Sequence, residues 1–218
     1  MYELPLFPLN TVLFPGMPLR LHIFEERYKL MIGRCYQGEQ PFGVTLIESG
    51  SEVGGKAEPF RVGCTALITE VESLSMGRMN IVAIGQERFE IQSFQYDEPY
   101  LTGMVDSYPL RNENPSQLVR AGRGLRPLVH EYLKVLADAH ESKFDLSDLP
   151  NDPLRLANLA SFLLQVSTRQ KQDLLETRDS LKLVTDLRAH SRREVALLRA
   201  MVMARDQVDQ EIGPFSLN

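Results

Sequence analysis

The segment Leu4-Pro5-Leu6-Phe7-Pro8-Leu9-Asn10-Thr11-Val12-Leu13-Phe14-Pro15-Gly16-Met17-Pro18 decides how the rest of the chain is read. It sets four prolines among large apolar side chains. Proline fixes φ and has no backbone donor, so this stretch is neither a helix nor the middle of a sheet. The expectation is two short, edge-like strands around a turn at Pro15-Gly16, both supplying side chains to a core.

Outward from that segment, the first 110 residues read as mainly β. Leu19, Leu21 and Ile23 alternate with Arg20 and His22, the period of a half-buried strand. The period then changes. Tyr28, Met31, Ile32 and Cys35 form one helical stripe over residues 25–36, closing at Gly38. Residues 42–47 suit a buried strand, and residues 49–59, with three glycines, suit a flexible loop. From Arg61 to Tyr108 the alternation is that of antiparallel strands: 62–70, 79–84, 88–94 and 100–105, with a turn near Ser75-Met76-Gly77. Short strands at this spacing predict a small closed or half-closed barrel.

The second half reads as helices. Asn114-Pro115 and Asp152-Pro153 each set a capping residue before a proline at the first helical position. Ser167-Thr168-Arg169-Gln170 has the form of a capping box. A last helix is expected over 179–205, and residues 144–151 as a linker. The fold class is therefore α+β, with a barrel lobe at 1–113 containing one helix near 24–38, and a helical-bundle lobe at 114–218.

Composition narrows the function classes. With 43% hydrophobic and 24% charged residues, the 218-residue chain is that of an ordinary globular protein. Its net charge of −5 gives no general attraction to nucleic acid or anionic membranes. The first 113 residues hold 9 Lys and Arg against 15 Asp and Glu, which favours a cationic or neutral partner for that half. Two cysteines, Cys35 and Cys64, make neither a disulfide framework nor a metal site, and read as buried thiols of a reducing compartment. No segment has the form of a signal peptide or a membrane span, so the cytoplasm is expected.

Three segments together resemble the amino-terminal, substrate-binding domain of Lon proteases. They are residues 4–17; Gly63 to Val71 with its return strand Ile81-Val-Ala-Ile-Gly-Gln-Glu-Arg-Phe89; and Asp152-Pro-Leu-Arg-Leu-Ala-Asn-Leu-Ala160 followed by Lys171-Gln-Asp-Leu-Leu-Glu176. The resemblance implies a PUA-like antiparallel β-barrel followed by a helical bundle, and a role in capturing protein substrates. Residues 18–28 are closer to stand-alone bacterial members and to the related region of cereblon. The ATPase of full Lon needs a Gly-x-x-x-x-Gly-Lys-Ser/Thr loop. The nearest string, Gly54-Gly55-Lys56, is followed by Ala57. With no Ser–Lys protease domain either, the expectation is a non-enzymatic protein without cofactor or catalytic residues.

His22, Phe24, Glu25, Glu26, Arg27 and Tyr28 form the densest polar and aromatic cluster, at a strand-to-helix junction. They read as a peptide- or protein-binding patch in which Phe24 and Tyr28 anchor and His22, Glu25 and Arg27 orient. The same residues also read as ordinary structure, with the glutamates favouring the helix start, Arg27 paired locally and both aromatics in the core. A metal at His22 with Glu25 or Glu26 lacks a second histidine at ligand spacing. Arg120, Arg123 and Arg126 lie along one helix face, and Arg188, Arg192, Arg193 and Arg199 recur along the last helix. These read as solvated faces, with RNA binding by a PUA-like fold as the alternative. The partners expected are an unfolded or degron-bearing polypeptide, or a separate protease served by this chain as adaptor, with no membrane. Val195, Leu198, Met201, Val202 and Met203 pack on their own bundle or serve an oligomer.

Overall fold

The computed structural model describes residues 1–51, 57–140 and 149–211, and of residues 138–140 and 202–211 the backbone alone. The strands are β1 (Tyr2–Leu9), β2 (Pro18–Ile23), β3 (Phe42–Ser49), β4 (Glu58–Pro59), β5 (Val62–Ser73), β6 (Met79–Gln95) and β7 (Thr102–Ser107). Helix α1 (Glu26–Gln37) sits between β2 and β3. The helices α2 (Pro115–His140), α3 (Pro153–Leu163), α4 (Thr168–Glu176) and α5 (Ser180–Glu211) follow the strands. The α+β order, barrel before helices, is as expected.

The sheet closes on itself. β1 pairs with β7, β7 with β6, β6 with β5, and β5 with β3. β3 then returns to β1. This last pair is parallel, so the barrel is not wholly antiparallel as read from the sequence. β2 and β4 stand outside the ring, on β6 and β3. Two local expectations also change: Glu58 and Pro59 form β4 and are not loop, and residues 79–94 belong to one continuous β6 that shifts register along its length. Residues 52–56 of the expected loop, including Gly54-Gly55-Lys56, lie outside the described residues. Gly38 closes α1 in a right-handed conformation (φ −86), and Glu39 takes the left-handed one (φ 50).

The proline-rich opening is not an edge. β1 is bordered by β7 over Tyr2–Pro5 and by β3 over Leu6–Leu9. The prolines are tolerated because the partner changes sides. Leu6 N–H donates to Leu101 O at 2.8 Å on the β7 side. By strand alternation the Pro5 nitrogen points to the β3 side before that ladder begins, and the Pro8 nitrogen to the β7 side after that ladder has ended. Both faces of β1 are buried. Leu4 and Leu6 join Phe89, Ile91 and Val105, while Phe7 and Leu9 join Tyr28, Met31, Ile32 and Phe42.

The turn at Pro15-Gly16 forms as expected. Met17 N–H reaches Phe14 O at 3.1 Å and Gly16 has φ +80, a type II turn with proline and glycine at its two central positions. The turn docks on β6. Gly16 N–H donates to Gly85 O at 2.8 Å, and Gly85 N–H to Met17 O at 2.9 Å. A Cβ on Gly85 would meet the Phe14 carbonyl.

The described residues divide into two compact units, those within 1–111 with 161–180, and those within 112–160 with 181–218. A single cut between 113 and 114 is therefore wrong, because α4 returns to the barrel unit. The reason is polar as well as apolar. Leu174 and Leu175 are buried, and Gln172 Nε2 donates to Val62 O at 3.0 Å. Arg88, buried on β6, donates to the carbonyls of Leu175 and Thr177 at 3.0 Å, and Tyr108 Oη to that of Glu176 at 2.8 Å. These donors satisfy the open carbonyls of the helix C-terminus. Burial lowers the Arg88 pKa to about 10. The start of α4 carries the capping box, with Ser167 and Gln170 bonded reciprocally.

In the other unit, Asp152 Oδ1 caps α3 by accepting from Leu154 and Arg155 N–H. Leu118, Leu125, Val129 and Tyr132 of α2 are buried, as are Leu183, Val184, Leu187 and Val195 of α5. Within the proposed linker, residues 144–148 lie outside the described residues.

Gly85→Ala is expected to lower unfolding free energy by about 1–3 kcal/mol in urea denaturation, because the added methyl would press first on the Phe14 backbone, which cannot turn aside as a side chain can. Gly33→Ala, in α1 with open space around the new methyl, is expected to raise it by up to about 1 kcal/mol.

Candidate peptide-binding site at the barrel rim

β2 ends at Ile23 and α1 begins at Glu26, so Phe24 and Glu25 make the corner where the period changes from two to 3.6. Glu25 occupies the N-cap position in extended conformation (φ −73, ψ 135) without a side-chain cap bond. Its carboxylate instead receives Arg27 Nε and Nη2, both at 3.0 Å. Glu26, in the first turn, pairs with Lys29 at 2.7 Å. Lys29 also donates to Met76 O at 2.9 Å, which ties α1 to the tip of the β5–β6 hairpin.

The two aromatics part company. Tyr28 is buried, its ring stacked on Phe7 at 3.9 Å, with the Arg27 guanidinium 4.4 Å from the ring centre. Phe24 is 48% exposed and lies 6.1 Å from the His22 ring. Asn80 donates from Nδ2 to Glu72 at 2.8 Å, so its Oδ1 is the acceptor for His22 Nδ1–H at 2.8 Å. The structure thus brings His22 together with Phe24, and Glu25 with Arg27 and Tyr28.

Tyr28 lines two clefts. One, of about 150 Å³, is lined by residues 20–25 with Phe7, Leu9 and Tyr28. The other, of about 470 Å³, is lined by Pro8, Arg27, Tyr28, Tyr96, Pro99 and Tyr100, among others. Sequence reading missed Tyr96, Pro99 and Tyr100. Their signal is Tyr96-Asp97-Glu98-Pro99-Tyr100, a turn that carries two aromatics and joins β6 to β7. Arg34 of α1 holds that turn, donating to Glu98 Oε2 at 2.8 Å and Tyr100 Oη at 2.9 Å. The bond to Tyr100, then that to Glu98, raises the Arg34 pKa. Mixed aromatic and charged walls of this kind suit an extended peptide with large side chains.

The remaining reactive groups are in structural settings. Burial pushes the Cys35 thiol up to about 11 and the Cys64 thiol to about 12, so both stay protonated near neutrality. Among the described residues no three His, Cys, Asp or Glu side chains gather as metal ligands. Of the arginine face, Arg120 and Arg123 are exposed, while Arg126 donates to Pro150 O at 3.0 Å and Asn151 Oδ1 at 3.1 Å. Arg199 pairs with Glu131. At the end of α5, Val195 is buried and Met201 exposed, and the side chains of Val202 and Met203 lie outside the described residues. No helix of the described residues is long and apolar enough to cross a membrane.

The comparisons with known proteins agree with this architecture. The model of the family described as the ATP-dependent protease La (LON) substrate-binding domain matches residues 3–187. The chain belongs to that family. It is 28% identical over 201 residues to Lon protease 2 of Myxococcus xanthus, covering 89% of this chain and 24% of the relative. It is 27% identical over 178 residues to Lon protease of Flavobacterium johnsoniae, covering 79% of this chain and 22% of the relative. The chain thus spans about a quarter of the length of these proteases. Among solved structures, the N-terminal domain of a Mycobacterium avium complex Lon protease superposes with a TM-score of 0.68 at 18% identity, covering 87% of this chain and 98% of that one. The Lon N-terminal domain protein of Xanthomonas campestris does so with 0.59 at 24% identity and the same coverage. Both likenesses bear on the fold.

Tyr28→Ala is expected to cost about 3 kcal/mol in urea denaturation, the loss of a buried ring. Phe24→Ala is expected to stay within about 0.5 kcal/mol. Both thiols should resist an aromatic disulfide reagent at pH 8 until the chain is unfolded. Because the folded chain holds these protons more tightly, their contribution to stability is full below about pH 9. It declines as pH rises from the ordinary value of 9.0 towards about 11 for Cys35 and about 12 for Cys64, readable as a falling melting temperature.

Proposed function

We propose that this chain is a non-enzymatic, cytoplasmic polypeptide-binding module that recognises unfolded or degron-bearing segments for proteolysis, directly or as an adaptor to a separate protease. The observation that carries this reading is the pair of clefts around Tyr28, aromatic-walled and open, in a chain of the substrate-binding family. Phe24 and Tyr96 supply exposed rings for apolar side chains, the surface chemistry that anchors protein contacts. Arg27 and Glu25 neutralise each other and leave the rim receptive to neutral segments. The protonated thiols support a role without covalent chemistry.

The RNA alternative finds less support, since Arg126 and Arg199 of the arginine face are engaged within the protein.

The test is fluorescence anisotropy with a labelled, reduced and carboxymethylated protein that cannot fold. Micromolar binding, weakened about 3–10-fold by Phe24→Ala or Tyr96→Ala, is the expected result. No binding, or equal binding of the native form of the same probe, would overturn the proposal.

A further inference from the structure

Strand β2 is one of the places where the sheet is left open. β5 lies along one side of β6, and β2 and then β7 follow one another along the other. Among the described residues β2 pairs with β6 alone. Gly85 N–H donates to Met17 O, so by alternation Leu19, Leu21 and Ile23 turn their backbone groups to β6. Arg20 and His22 turn theirs outward. Pro18, which has no N–H to offer, also stands at an outward position.

Side chains and space at this edge suggest what would cover it. Leu19, Leu21 and Ile23 face the core, while Arg20 and His22 are exposed on the opposite face. The cleft of about 150 Å³ beside the strand has room for one leucine- or phenylalanine-sized side chain. His22 is already tied to Asn80. Arg20 has no ion pair among the described residues. The acidic side chains nearest in register, Glu70 and Glu72, stand two strands away on β5, opposite Val82 and Asn80. Both nevertheless line one cleft with Arg20 and His22, whereas a strand added on the outer side of β2 would lie beside Arg20 and three strands from those carboxylates. A strand on this edge therefore meets Arg20 before it meets the acidic balance of the barrel half.

We propose that β2 binds an extended segment of a client polypeptide as an added strand. The preferred segment sets an acidic side chain beside Arg20 and an apolar one in the cleft. This rests on the polypeptide-binding reading above and specifies its mode: main-chain pairing supplies sequence-tolerant affinity, and two side chains select. A second copy of the chain fits the edge less well. Antiparallel self-pairing about Leu21 would set Arg20 beside the other strand's His22, with basic side chains facing each other.

The probe is a capped, fluorescein-labelled heptapeptide, Leu-Thr-Leu-Glu-Leu-Thr-Leu, measured by anisotropy beside two N-methylated versions. One is methylated on its Thr and Glu nitrogens, the other on its inner Leu nitrogens. In strand addition only one set of N–H groups faces β2. One methylated version is thus expected to lose at least about tenfold in affinity while the other changes less than about threefold. The modification is on the peptide, so the result is independent of how a variant folds. Arg20→Glu is expected to shift the preference from the glutamate peptide to its lysine analogue by about 3–10-fold. Equal losses from both methylations, or tighter binding of the lysine analogue by the unaltered protein, would overturn strand addition. Failure of the heptapeptide while the unfolded protein still binds would overturn it and leave polypeptide binding standing. Failure of both probes would overturn both.

Discussion

Two backbone hydrogen bonds between the Phe14–Met17 turn and Gly85 fix the course of β2, and most of the rim follows from that course. The turn needs φ > 0 at Gly16 and a bare backbone at Gly85, so two residues far apart in the chain must both lack a side chain. Once the turn is seated, Leu19, Leu21 and Ile23 can only face the core. The corner at Phe24 and Glu25 then delivers Tyr28 onto Phe7. The rim is thus a consequence of how the amino-terminal segment docks on β6.

Barrel closure and the openness of the rim are linked. β6 is 17 residues long, and two shorter strands share one of its sides. β1 meets the same difficulty by changing partners midway, which lets Pro5 and Pro8 sit in a buried strand. Where one partner ends and the next begins, main-chain groups and small clefts remain. On β2 the outward backbone groups belong to the exposed residues Arg20 and His22, so leaving them unpaired does not bury an unsatisfied group.

The return of α4 to the barrel depends on polar chemistry that is costly to leave unmade. Arg88 is a buried cation, and its bonds to the carbonyls of Leu175 and Thr177 offset the cost of removing its charge from water. Those carbonyls are open because a helix end leaves them so, and Tyr108 completes the set at Glu176. Each partner thus satisfies a polar group that the other would leave buried. Residues 161–180 consequently belong with strands that precede them by about a hundred residues.

The sequence by itself determined the local elements. The alternation of 18–23, the stripe of Tyr28, Met31, Ile32 and Cys35, the Pro15-Gly16 turn, and the caps at Asp152 and Ser167 each depend on neighbours within a few residues. The order of barrel and helices was legible for the same reason. The tertiary structure alone decided the parallel β1–β3 pair, the two-sided burial of a proline-rich strand, the place of α4, and the joining of Tyr96 and Tyr100 to Tyr28 across the rim. It also separated Phe24 from Tyr28, sending one ring to solvent and the other to the core, although they lie four residues apart. Each of these depends on which distant segment comes alongside, and a periodicity read along one segment carries no information about its partner.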